Sequence, residues 1–138
     1  MNLLNPQFVA SLTEVVTTTS GFGILVQPSS QYVEWEDSAT FMVRTNKDSN
    51  GATFEWRYHT SENFDSTGGT AFPAASTSDQ VANNPATSSS SHNTNTLYLV
   101  DLKDTPFDEV YIRCFITFNS VTLRSSAAYL NVGPEPND

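Results

Sequence analysis

A single cysteine in one strand-like run, with a tryptophan in another, constrains this chain more than any other feature. Cys114 lies in Val110-Tyr111-Ile112-Arg113-Cys114-Phe115-Ile116, and Trp56 lies in Ala52-Thr53-Phe54-Glu55-Trp56-Arg57-Tyr58. A period of two puts Val110, Ile112, Cys114 and Ile116 on one face. With one thiol in 138 residues no intrachain disulfide can form, so packing alone must hold the fold. A domain of this length buries roughly 70% of the surface its unfolded chain exposes, which is enough for a core without staples. An inward thiol in such a core is an inert small hydrophobe, because a reactive one needs an exposed, electropositive setting.

The rest of the chain reads as short strands separated by turns, with no helical period. Residues 1–20 mix Leu3, Leu4, Phe8, Val9, Leu12, Val15 and Val16 with a Thr/Ser cluster and form an N-terminal arm. A sandwich domain spans 21–132 and a Pro/Gly tail spans 133–138. Within the domain, residues 23–28 and 31–35 form the two halves of an edge strand punctuated by Pro28. Ala39, Phe41 and Val43 alternate inward, and the turn at Asn50-Gly51 leads to the Trp56 strand. Residues 60–95 are a long polar loop region whose only large apolar residues are Phe64, Phe72 and Val81; short edge strands are expected near Phe72 and Val81. Order returns at Leu97, Leu99 and Leu102, continues through the Cys114 strand, and ends on one strand from 121 to 132 with Ala128, Leu130 and Val132 inward. About seven antiparallel strands at this spacing predict an all-β sandwich.

Taken in order, Phe41-x-Val43, Phe54-x-Trp56, Leu97-x-Leu99-x-x-Leu102, Asp108 six positions before Cys114, and Ala128-x-Leu130-x-Val132 resemble an immunoglobulin-like domain over residues 23–132. In disulfide-bonded domains of that type the first cysteine lies about a dozen residues before the tryptophan. Val43 stands there, 13 positions upstream of Trp56. A second departure is Ile112, which occupies the place of the tyrosine-corner residue, with Tyr111 one position early. The resemblance is therefore to the disulfide-free branch, and most of all to immunoglobulin-like domains of structural proteins in tailed bacteriophages, head-decoration and tail proteins among them.

Fifteen acidic against 6 basic side chains give a net charge of −9 and a pI near 4.4. That field repels phosphate backbones and anionic lipid heads, so no nucleic-acid partner is expected. No run reaches the roughly 18 apolar residues that would cross a bilayer as a helix, and no membrane insertion is expected. The first ten residues lack a basic segment and are broken by Asn5, Pro6 and Gln7, so they do not read as a secretory signal.

Catalytic chemistry finds no constellation in the sequence. His59 and His92 have no companions at metal-ligand spacing. Asp101, Asp104, Asp108 and Glu109 crowd one corner but lack the glycine-bearing loop of an EF-hand. Glu55, Arg57 and His59 share the wet face of one strand, and no nucleophile has a base beside it. The expectation is a non-enzyme with no catalytic, metal or cofactor-binding residues. Arg57, Tyr111, Arg113 and Phe115 point outward together, in one of two roles: a partner-binding patch, or a face covered by the 60–95 segment.

The phage resemblance implies a virion structural protein, made in the bacterial cytoplasm and released by lysis, that decorates the capsid. Its partner would be the major capsid protein or another virion protein, with homo-oligomer formation a further expectation. Leu4, Phe8 and Val15 of the arm would anchor it by adding a strand to a neighbour's sheet. The alternative is a tail- or surface-associated adhesin module that binds host cell-surface glycans through Tyr32, Trp35 or Phe72.

Overall fold

In a computed structural model, which describes residues 18–19, 22–46, 51–87 and 93–136, eleven strand segments form two facing sheets. In chain order they are β1 (Thr18–Thr19), β2 (Phe22–Val26), β3 (Gln31–Val33), β4 (Ala39–Thr45), β5 (Thr53–His59), β6 (Thr70–Ala71), β7 (Val81–Asn83), β8 (Thr94–Leu99), β9 (Val110–Phe118), β10 (Val121–Arg124) and β11 (Ala128–Val132). One sheet has the order β1-β2-β4-β8-β7. The other runs β3-β11-β9-β5-β6, with β10 also paired to β9. The architecture is the all-β antiparallel sandwich that the alternation predicts. The one parallel pair, β3 with β11, arises because the first edge strand is split between sheets. Pro28, which has no N–H to give to a ladder, is buried at that crossing from β2 to β3.

Alternation dictates the core. Phe41 and Val43 on β4, Phe54 and Trp56 on β5, Leu97 and Leu99 on β8, Ile112, Cys114 and Ile116 on β9, and Ala128 and Leu130 on β11 are all buried. Each fully buried Leu, Ile, Val or Phe contributes roughly 1.5–3 kcal/mol relative to exposure. Trp56 pairs in register with Cys114, and Val43 packs fully buried in the opposing sheet, so apolar contact fills the space a disulfide would span.

Two features depart from strict alternation. The last strand is not continuous. Leu123 pairs with Ile116 while Ala128 pairs with Ile112, so the register slips by one residue through residues 125–127. Ser125 turns fully inward there, and its Oγ accepts the Cys114 N–H at 2.8 Å and donates to the Ser126 carbonyl at 2.9 Å. The second feature is Asn95, a buried polar side chain at an inward position of β8. Its Oδ1 accepts the Trp56 indole N–H at 2.7 Å, and its Nδ2 donates to the carbonyls of Pro85 and Thr87. The bulkiest core residue thereby has its polar edge satisfied in the interior.

Where a tyrosine corner would sit, Ile112 is buried, and an acidic side chain holds the turn instead. Asp108 Oδ1 accepts the Val132 N–H at 2.7 Å, tying the β8–β9 connection to β11. Phe107, beside it, packs with Tyr58 and Phe72 at centroid separations of 4.8–5.2 Å and closes that end of the sandwich.

Candidate binding surface

The outer face of the second sheet carries Glu55, Arg57 and His59 from β5 and Tyr111, Arg113 and Phe115 from β9. Registry sets Glu55 beside Phe115, Arg57 beside Arg113 and His59 beside Tyr111. Residues 60–69 cross this face. Phe64, 5% exposed, stacks on His59 and meets Phe115 edge-on, with the Arg113 guanidinium 5.7 Å from its ring centroid.

Three arginines hold the crossing segment, two of them by its backbone. Arg113 donates from Nε and Nη2 to the Glu62 carbonyl at 3.1 and 3.0 Å, and from Nη1 to the Ser125 carbonyl at 2.6 Å. Arg57 donates to the carbonyls of Gly68 and Gly69 at 2.8 and 3.0 Å, and its Nη1 lies 3.3 Å from Glu55. Arg124 donates to the Asn63 side chain. Charged donors on neutral carbonyls make bonds stronger than amide ones. The segment itself is shaped by Asp65, whose Oδ1 accepts the N–H and hydroxyl of Thr67; those bonds hold its carboxyl below the ordinary carboxylate value. Gly69 cannot be replaced without strain: it has a φ of +70°, and a Cβ there would collide with the Tyr58 carbonyl oxygen.

The patch that sequence alternation places outward is thus divided. Arg113 and Phe115 are buried beneath residues 62–64, and Arg57 is half-buried, so these three are covered and do not form an open contact surface. This is the second of the two roles open to that face in the sequence. Tyr111 escapes the cover and meets Tyr129 of β11 instead, with centroids 4.9 Å apart. Leu4, Phe8 and Val15 lie outside the described residues, as does His92. Among the sugar-stacking candidates Phe72 is buried, Trp35 is partly covered, and Tyr32 is 74% exposed.

The other candidates are occupied by structural duties. The His59 Nδ1 accepts the Ser61 N–H at 2.8 Å, so that nitrogen is not presented to a substrate. The carbonyls of Gly68 and Gly69 point at Arg57, the reverse of a phosphate cradle. At the acidic corner Lys103 sits 2.7 Å from Glu36 and 3.9 Å from Asp101, and the Glu36 bond, with both charges, raises its pKa. Among the described residues no three His, Cys, Asp or Glu side chains converge as a metal site would require. Burial pushes the Cys114 thiol well above its usual pKa, away from the thiolate that nucleophilic chemistry needs.

No protein-family model matches the chain, and no curated protein matches it. Solved structures do resemble it. A mutant complex of titin M10 with an obscurin-like 1 Ig domain aligns with a TM-score of 0.57 at 17% identity over 84% of this chain and 96% of that one. The RIG-5 IG1 homodimer gives 0.58 at 14% identity over 82% and 98%. The N-terminal Ig1-2 module of the Drosophila receptor protein tyrosine phosphatase DLAR gives 0.57 at 16% identity over 85% of this chain and 52% of that one. At such identities the likeness speaks to fold alone. The chain folds as an immunoglobulin-like domain without a disulfide.

Proposed function

We propose that this protein is a non-enzymatic virion structural protein that decorates a phage capsid, docking on the shell through its residue 1–20 arm. The observation that carries the reading is the position of β1. Thr18 and Thr19, near the end of the arm, pair antiparallel with Gly23 and Phe22 at the outer edge of the first sheet. Thr18 and Thr19 thus sit at a sheet edge, and an apolar, Thr-rich sequence preceding such an edge suits strand addition to a neighbouring protein. A core that packs without a disulfide supports folding in a reducing cytoplasm before release by lysis. The resembling titin and RIG-5 domains are described in a complex and as a homodimer, and protein contact is the role carried over here.

Cosedimentation with heads that lack the protein tests this. The full chain should bind saturably at a symmetry-related copy number, and deletion of residues 2–20 should abolish incorporation while leaving the β circular-dichroism spectrum intact. Retained incorporation would reject the arm as anchor, and binding to tails alone would reject decoration. One observation, the exposure of Tyr32, favours the second reading of a glycan-binding adhesin module. Glycan-array binding that disappears in Tyr32→Ala would establish it.

A further inference from the structure

Tyr32 on β3, Tyr129 on β11 and Tyr111 on β9 form a row across three strands, beyond the reach of residues 60–69. The Tyr111 and Tyr129 centroids are 4.9 Å apart at 54°, and those of Tyr129 and Tyr32 are 6.3 Å apart at 50°. Tyr32 is the most exposed large apolar or aromatic side chain of the described residues. An exposed carboxylate residue, Glu109, lies two positions before Tyr111, and its N–H donates to the Leu130 carbonyl, next to Tyr129, at 2.8 Å. Partial burial and then the charge of Glu109 raise the Tyr129 phenol, followed by Tyr111 and Asp108, so the carboxylate field reaches that ring.

We propose that this row is a docking surface for a partner protein that presents arginine or lysine side chains. Aromatic faces are electronegative and attract a cation within about 6 Å of the centroid. A carboxylate beside them supplies an ion-pairing acceptor, and a chain of net charge −9 draws a basic surface toward it. The arginines nearest in the sheet are committed elsewhere, Arg57 and Arg113 to carbonyls and Arg124 to Asn63. Rings tilted by 50° and 54° to one another present separate faces, each of which can take a separate cation. The surface is a second contact, distinct from the arm, and does not rest on the capsid reading.

The test is an amide-NMR titration of the full chain with acetyl-tetra-arginine amide, the tetra-citrulline peptide serving as its uncharged counterpart. Shifts should concentrate at Tyr32, Glu109, Tyr111 and Tyr129, and citrulline should produce none. Tyr32→Ala and Glu109→Gln, both at exposed positions, should weaken binding about five-fold each with an unchanged thermal midpoint. Binding equal in Tyr32→Ala, or shifts centred on the acidic corner at 101–104, would mean diffuse attraction to net charge and overturn the proposal. So would an absence of binding at millimolar peptide. Shifts of the same residues by a neutral oligosaccharide but not by the peptide would reassign the row to glycans. None of these results bears on incorporation of the arm-deleted chain, so the two readings fail separately.

Discussion

Asn95→Ala is the sharpest perturbation this structure offers, because one side chain satisfies three groups at once. The substitution leaves the Trp56 indole N–H, buried with its ring, without its acceptor at 2.7 Å. An unsatisfied buried donor costs about 1–3 kcal/mol. The Pro85 and Thr87 carbonyls also lose their donor, but Thr87 is exposed and Pro85 partly so, and water can replace part of what Asn95 gave. Those two together add about 1 kcal/mol. The expected loss is therefore about 2–4 kcal/mol, a large share of the roughly 5–15 kcal/mol that stabilises a domain of this kind.

A urea titration followed by far-ultraviolet circular dichroism measures that loss, and a double-mutant cycle with Trp56→Phe isolates its cause. Phenylalanine keeps an aromatic ring but removes the donor, so Asn95→Ala in that background should cost about 1–2 kcal/mol less than in the native chain. The indole N–H gives an independent readout: its hydrogen exchange should be slow in the native chain and accelerate in Asn95→Ala. A loss under about 0.5 kcal/mol, or strict additivity in the cycle, would refute the assignment of Asn95 as the acceptor that stabilises Trp56.

Two other perturbations address the covered face and the lone thiol. Arg113→Ala removes the fork that bridges Glu62 and Ser125 and should cost about 2–4 kcal/mol, with protease cleavage within 60–69 rising sharply. Arg113→Lys should recover little of this, because a single ammonium cannot serve both carbonyls. Native-like proteolysis in both variants would show that the segment is held by something else. Cys114 should resist a chromogenic disulfide reagent at about pH 8 in the folded chain and react stoichiometrically in urea, since burial both hides the thiol and raises its pKa. Rapid native labelling would contradict the inward register of β9.

The elements legible in the sequence were those whose apolar phase never breaks. β4, β5, β8, β9 and β11 each carry inward residues two apart, and the inward set at Val110, Ile112, Cys114 and Ile116 lies buried as alternation predicts. The interruption before β11 was missed, since 121–132 read as one strand, though the parity of its apolar residues carries the break. Leu123 and Ala128 are five apart, so both can face inward only if one residue is inserted between them. Asn95 was missed, read as the end of the polar loop region 60–95, although it shares the inward phase of Leu97 and Leu99, where a polar residue calls for a buried partner. The cover over Arg113 and Phe115 left a weaker trace. Residues 60–69 contain one large apolar anchor, Phe64, and are held by side-chain donors on backbone carbonyls, contacts that no side-chain pattern in the segment announces.

The same cover changes what the charge count means at the surface. Of the six basic residues, Arg57, Arg113 and Arg124 reach into the segment at 60–69, and Lys103 lies between Glu36 and Asp101. Of the basic residues described, that leaves Arg44 as the one exposed cation without such a duty in the turns and covers. The carboxylates are distributed differently: Glu34, Glu36, Glu55, Asp65, Asp79, Asp101, Asp104 and Glu109 all stand exposed. A partner approaching within a Debye length, about 8 Å at physiological salt, therefore meets exposed carboxylates more often than exposed cations among the described residues. Holding the outer face of the second sheet closed and presenting an anionic exterior follow from the same arginines, and the tyrosine row is where that exterior becomes aromatic.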